Sequence, residues 1–112
     1  MTPYAIRILA SAERDLMRLF GFIAEHDSIS SAVHVLDKLE TLIATLMEKP
    51  ELGAVVRELA QLGISNYRQV FWKPYRVIYQ ISEVGVIVML VADGRRDMQT
   101  ILQQRLLESA WQ

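Results

Sequence analysis

Tyr67-Arg68-Gln69-Val70-Phe71-Trp72-Lys73-Pro74-Tyr75-Arg76-Val77-Ile78-Tyr79-Gln80-Ile81-Ser82-Glu83-Val84-Gly85-Val86-Ile87-Val88-Met89-Leu90-Val91-Ala92 is the stretch that decides the fold. Tyr67–Trp72 and residues 75–81 are rich in aromatic and β-branched side chains, and Lys73-Pro74 between them is turn-forming, so both read as strands. Residues 86–92 are apolar at every position, the pattern of a central strand covered on both faces. Residues 82–85 supply the turn before it. Three consecutive strands joined by short turns form a meander.

Upstream, the period changes from 2 to about 3.6. Leu16, Leu19, Phe20 and Ile23 share one helical face, with Ser11 at the N-cap position and Glu13 and Asp15 in the first turn. The helix is expected to end near His26-Asp27. Asp27-Ser28-Ile29-Ser30 is a break from which a second helix starts, striped by Leu36, Leu39, Ile43 and Leu46, extended by Ala32 and Met47, and stopped by Pro50 and Gly53. Two helices joined so closely form an antiparallel hairpin. Before them, residues 4–9 alternate as a short strand. Residues 55–62 are ambiguous between a short turn of helix and a connecting strand and are left as connector, residues 93–97 read as a charged loop, and Met98–Ala110 as a short terminal helix. The expected fold is α+β: an N-terminal strand, an antiparallel helical hairpin packed on one face of an antiparallel β-sheet whose last strands form a meander, and a short C-terminal helix. The other face is expected to meet solvent or a partner.

With 112 residues, 52% hydrophobic and 22% charged, the composition is that of one globular domain spanning residues 1–112. The absence of cysteine excludes disulfides and thiolate chemistry. No basic-then-apolar leader and no run long enough to cross a bilayer is visible, so a cytoplasmic protein with no membrane association is expected. Residues 1–62 carry 6 Lys/Arg and 9 Asp/Glu, a balance of -3, and residues 63–112 carry 6 and 4, a balance of +2. The net charge of -1 argues against sequence-specific DNA binding by this chain alone.

Five of the six cations in the second half are arginines: Arg68, Arg76, Arg95, Arg96 and Arg105. Arginine's planar fork suits carboxylates and phosphates, so the cluster points to an anionic partner, or to a solvated surface. His26 and His34 lack metal-ligand spacing, and no glycine-rich phosphate loop or Ser-His-acid set is present, so neither metal nor cofactor is expected. Glu83 and Asp97 are the only acid–base candidates near the arginines; a turn position and an ion pair to Arg96 are their plainer readings. Whether Arg68 and Arg76 converge depends on the turn: a two-residue turn after Trp72 puts them on opposite faces of the sheet, a three-residue loop on the same face.

The element order, Tyr75-Arg76-Val77-Ile78-Tyr79, and Asp93-Gly94-Arg95-Arg96-Asp97 resemble the ParE/RelE toxins of bacterial type II toxin–antitoxin systems. Ala12, Asp15-Leu16, and Pro50 with Gly53 fit the same pattern, which spans residues 4–107. The resemblance implies one of two activities. RelE-like members are ribosome-dependent mRNA endoribonucleases; ParE-like members, associated with plasmid stabilisation, inhibit DNA gyrase. In the nuclease pattern Arg76 falls on the sheet arginine, Arg96 on the arginine after the glycine-containing loop, and Arg68 near a strand lysine. The C-terminal tyrosine or histidine of many nucleases would fall on Leu102, a departure that favours the ParE branch, as does Gly94-Arg95-Arg96-Asp97. Arg68, Arg76, Arg95, Arg96 and Trp111 are then candidates for target or antitoxin contact. Arg95 and Arg96 could equally anchor the C-terminal segment through Asp93 or Asp97. The implied partners are DNA gyrase and a ParD-like antitoxin with an acidic C-terminal segment, in a hetero-oligomeric complex.

Overall fold

The computed structural model describes residues 4–110. A short strand β1 (Ile6–Ile8) leads into helices α1 (Ala10–His26) and α2 (Ile29–Thr45). After a 3-10 turn at Pro50–Leu52 come β2 (Ala54–Val55) and a one-turn helix α3 (Arg57–Ala60). The meander follows as β3 (Tyr67–Trp72), β4 (Tyr75–Ser82) and β5 (Gly85–Asp93), and α4 (Met98–Ala110) closes the chain. The five-stranded sheet has the order β1-β5-β4-β3-β2.

The helical hairpin forms where the apolar stripes place it. Ser28 caps α2 by accepting a 2.9 Å hydrogen bond from the Ser31 amide. At α1 the cap differs from expectation. Leu9, not Ser11, holds the N-cap position in an extended conformation and makes no side-chain cap bond; its carbonyl accepts from the Glu13 amide. Ser11 lies within the first turn.

The meander is antiparallel, as its short turns require, but β1 is not. It runs parallel to β5, pairing Ile6 with Val86 and Ile8 with Val88. The sheet is therefore mixed, because the hairpin carries the chain back across the sheet before it enters from the far edge. The connector also holds structure: β2 pairs with β3, and α3 buries Val56 and Leu59 beside it.

The expectation that β5 is covered on both faces holds, and it overturns the idea of an open second face. One core lies between the hairpin and the sheet, built from Leu16, Leu39, Ile43, Leu46, Val77 and Tyr79 with Val86, Val88 and Val91 of β5. A second lies under α3 and α4 and takes Met89, Leu90 and Ala92 of the same strand, together with Ile78, Met98 and Leu102. A bulge opposite Ile78 and Tyr79 makes this possible. The extra residue, Met89, shifts the alternation, so that even-numbered residues face the hairpin before it and the odd-numbered Val91 faces it after. Fully burying Leu102 alone contributes about 1.5–3 kcal/mol.

Candidate functional site

Trp72 pairs directly with Tyr75, so Lys73 and Pro74 form a two-residue connection. Counting back, Arg68 stands opposite Tyr79 and Arg76 opposite Phe71. Opposed residues share a face and neighbours alternate, so Arg68 lies on the hairpin side and Arg76 on the side of α3 and α4. The turn separates the two arginines that a phosphate clamp would need together.

Arg76 is 7% exposed and fully engaged. Its two terminal nitrogens donate to the Glu58 carboxylate of α3, each at 2.9 Å, in the bidentate geometry that makes such pairs strong. Its Nε donates to Gln69 Oε1 at 2.8 Å, and Nη2 reaches the same oxygen. The guanidinium also lies 5.9 Å from the Phe71 ring centroid. Gly94 is required on the other side: a Cβ there would come within 2.7 Å of the Arg76 Cδ. The hydrogen bonds from Arg76 hold the Glu58 carboxyl below its ordinary value of 4.5. Arg76 is thus a tie between the sheet and α3.

Arg68 serves the opposite face. Its Nη1 donates to the Gly53 carbonyl at 2.9 Å and to the Glu51 carbonyl at 3.4 Å, holding the turn before β2. Tyr79 clamps the same turn from inside the core. Its hydroxyl donates to the Pro50 carbonyl at 2.6 Å and accepts from the Gly53 amide at 2.9 Å.

In the loop after β5, Arg95 forks onto Asp93 at 2.9 and 2.6 Å, lowering the Asp93 carboxyl pKa. Asp97 does not pair with Arg96. It caps α4, accepting from the Thr100 amide at 3.2 Å and the Thr100 hydroxyl at 2.7 Å. The Arg96 side chain is exposed and makes no ion pair among the described residues. Leu102 is a core residue at 0% exposure, with no access to a substrate. Glu83 is exposed in the β4–β5 turn, at the opposite end of β4 from Arg76. Trp111 lies outside the described residues.

Sequence reasoning missed Glu58 as the partner of Arg76, and it missed a second ion pair on the other side of β5. Asp15 of α1 and Arg105 of α4 form a bidentate pair at 2.8 and 2.9 Å, with side chains 11% and 12% exposed. Asp15 Oδ2 also accepts from the Val91 amide at 3.0 Å, and Arg105 donates to the Met89 carbonyl at 2.9 Å. Asp15 therefore anchors α4 and β5 instead of serving the α1 terminus. Both charges sit within apolar stripes, Asp15 beside Leu16 and Arg105 three residues after Leu102, and that misplacement was the legible signal.

An open groove of about 640 Å³ lies beside this pair, walled by α1 and α4 and reaching Tyr75, Arg95 and Arg96 at its mouth. Burial raises the Tyr75 hydroxyl pKa, and Asp93 acts in the same direction.

On this strand–hairpin–meander scaffold most of the candidate arginines are held by carboxylates or carbonyls, and among the described residues no acid–base pair stands beside a free cation cluster. Residues 6–98 match the family described as ParE toxin of type II toxin-antitoxin system, parDE, and the chain belongs to that family. It is 26% identical over 84 residues to Toxin ParE3 of Caulobacter vibrioides, covering 75% of this chain and 80% of that protein. Among solved structures it resembles a chain of the chromosomal ParDE toxin–antitoxin system from P. aeruginosa, with a TM-score of 0.68 at 10% identity over 80% of this chain and 95% of that one. It also resembles a chain of the toxin-antitoxin complex RelBE2 from Mycobacterium tuberculosis, with a TM-score of 0.59 at 22% identity, covering 81% and 98%. A mutant of E. coli toxin RelE in the free state gives a TM-score of 0.59 at 16% identity, covering 89% and 92%. At these identities the likeness to the structures is one of fold.

Proposed function

We propose that this toxin arrests growth by binding DNA gyrase and not by cutting mRNA, and that a cognate ParD-like antitoxin with an acidic C-terminal segment neutralises it in a hetero-oligomeric complex in the cytoplasm. The observation that carries the reading is the state of Arg76. A nuclease of this pattern needs that guanidinium on the scissile phosphate, to stabilise charge that develops during transfer. Here its fork is already filled by the Glu58 carboxylate and Gln69. A general acid and base within reach of the phosphate are needed as well, and the position where one is expected is the buried Leu102. Arg96 alone remains available as a cation of the nuclease pattern.

The test is a gyrase supercoiling assay with purified toxin, run beside mRNA cleavage on translating ribosomes. Inhibited supercoiling with intact mRNA is the expected result. Cleaved mRNA with normal supercoiling overturns the proposal and requires α3 to release Arg76 on the ribosome; Glu58→Gln would then raise cleavage.

A further inference from the structure

The solvent side of α1 carries a residue that the fold of a single chain does not require. Gly21 stands in the middle of the helix with ordinary helical backbone, and a Cβ built on it would meet nothing within 4 Å. Neither a turn nor a crowded neighbour calls for glycine there, and glycine inside a helix is less favourable than alanine. What the missing side chain permits is the near approach of another helix, at the short end of the roughly 8–10 Å spacing of packed helices.

The residues around Gly21 describe that other helix. At about 100° per residue, Gly21 lies opposite the buried Ala12, with Arg18 and Glu25 on one flank of it and Met17 and Ala24 on the other. Met17 is 74% exposed, the most exposed large apolar side chain among the described residues. Arg14, Arg18 and Glu25 are exposed and make no ion pair among the described residues. Arg14 and Arg18 even stand one turn apart as like charges, an unfavourable spacing on a lone helix. One flank is therefore basic before Gly21 and acidic after it. Such a flank complements its own copy running the other way. With two α1 helices antiparallel about a twofold axis at Gly21, Arg18 comes to within about 1.5 Å along the axis of Glu25 of the second copy, on the same flank. Met17 comes to lie over Gly21 and Ala24 of that copy, and every contact is made twice. A parallel pair would set Arg18 on Arg18 and Glu25 on Glu25. A single helix crossing buries less than the roughly 1,200–2,000 Å² of a stable complex, so the association is weak and depends on concentration.

We infer that the free toxin associates with a second copy of itself through α1, the two helices antiparallel and crossing at Gly21, with Arg18 paired to Glu25 of the second copy and Met17 seated over its small residues. The inference does not depend on the target of the toxin. The experiment is analytical ultracentrifugation of the purified full-length toxin from low micromolar concentration to about 200 μM. Wild type is expected to pass from one chain to two over this range. Gly21→Gln places a helix-favouring side chain in open space, and is expected to weaken association by more than about tenfold. Arg18→Glu and Glu25→Arg each bring like charges together twice in the dimer, and each is expected to weaken it by more than about tenfold. Combining the two restores both pairs with their signs exchanged, so the double variant is expected to return to within about threefold of wild type. All these positions are exposed, and helix content by circular dichroism is expected to be unchanged in every variant. Wild type that stays a single chain throughout, the result if this face serves another protein instead, overturns the inference and leaves the gyrase reading standing. So does a Gly21→Gln variant that associates as wild type does, or a charge-exchanged double variant no better than either single one.

Discussion

Removing the Glu58 carboxylate, as in Glu58→Ala, strands the Arg76 guanidinium in a pocket where it is 7% exposed. Breaking a buried ion pair from one side costs about 3–5 kcal/mol, because the remaining charge keeps its desolvation penalty. Two features reduce that here. The Glu58 side chain is 27% exposed, so water can enter the space it leaves, and Gln69 still accepts from Arg76 Nε. About 2–3 kcal/mol is the resulting expectation. With a urea dependence of about 1–3 kcal/mol per molar, the unfolding midpoint falls by roughly 0.7–3 M. Glu58→Ala combined with Arg76→Met, which keeps a stem against Gly94, removes both charges together and is expected to cost less than the sum of the single changes.

The same pair predicts a pH dependence. The folded-state pKa of Glu58 is lowered, chiefly by the hydrogen bonds from Arg76. A depressed carboxyl contributes stability that is present above its unfolded value and lost as pH falls through the folded one. The stability difference between wild type and Glu58→Gln should be at its full size at neutral pH and shrink once pH drops below the ordinary 4.5. A midpoint shift in Glu58→Ala worth less than about 0.5 kcal/mol, the size of an ordinary surface change, would refute the claim that Arg76 is an internal tie. It would return Arg76 to the list of groups free to meet a target.

Two other changes test the scaffold. Tyr79→Phe leaves the Gly53 amide and the Pro50 carbonyl without their buried partner, and is expected to cost about 1–3 kcal/mol in urea unfolding. Gly21 sits in the middle of α1 where an added Cβ meets nothing within 4 Å, so Gly21→Ala should stabilise by about 0.5–1 kcal/mol, read as a higher melting temperature.

The sequence made most of the elements legible because their periods are long enough to measure. The stripe of Leu36, Leu39, Ile43 and Leu46 reads as a helix, and the all-apolar residues 86–92, bounded by turn residues, read as a strand covered on both faces. What escaped was short or non-local. α3 has four residues and one turn, too few to show a period, although Val56 and Leu59 at i and i+3 are both buried. The parallel pairing of β1 with β5 joins segments about eighty residues apart, which no local pattern records. For the candidate site, the two-residue alternative for the Lys73-Pro74 turn already placed Arg68 and Arg76 on opposite faces, and the structure selects it. The carboxylates that occupy the arginines were hidden for the same reason as β1: Glu58 is 18 residues from Arg76 and Asp15 is 90 from Arg105.

That hidden pairing changes what the uneven charge of the chain means. An acidic surplus in residues 1–62 and a basic surplus in residues 63–112 suggest a surface divided for an anionic partner. Two of the arginines in the basic half are instead answered by carboxylates from the acidic half, Arg76 by Glu58 and Arg105 by Asp15, and both pairs lie under or beside elements that cover the α3–α4 face of the sheet. A third, Arg95, is answered within its own loop, and Arg68 is spent on backbone carbonyls. Most of the apparent anion-binding capacity is therefore consumed in fastening α3, α4 and the turn before β2 to the sheet. Of the five, Arg96 is the one left facing outward without an ion pair among the described residues, and with Arg18 from the acidic half it lines the groove between α1 and α4. Arginines allocated in this way agree with the protein-binding role proposed above, because a guanidinium already held by a carboxylate or a carbonyl is not free to stabilise a phosphate during transfer.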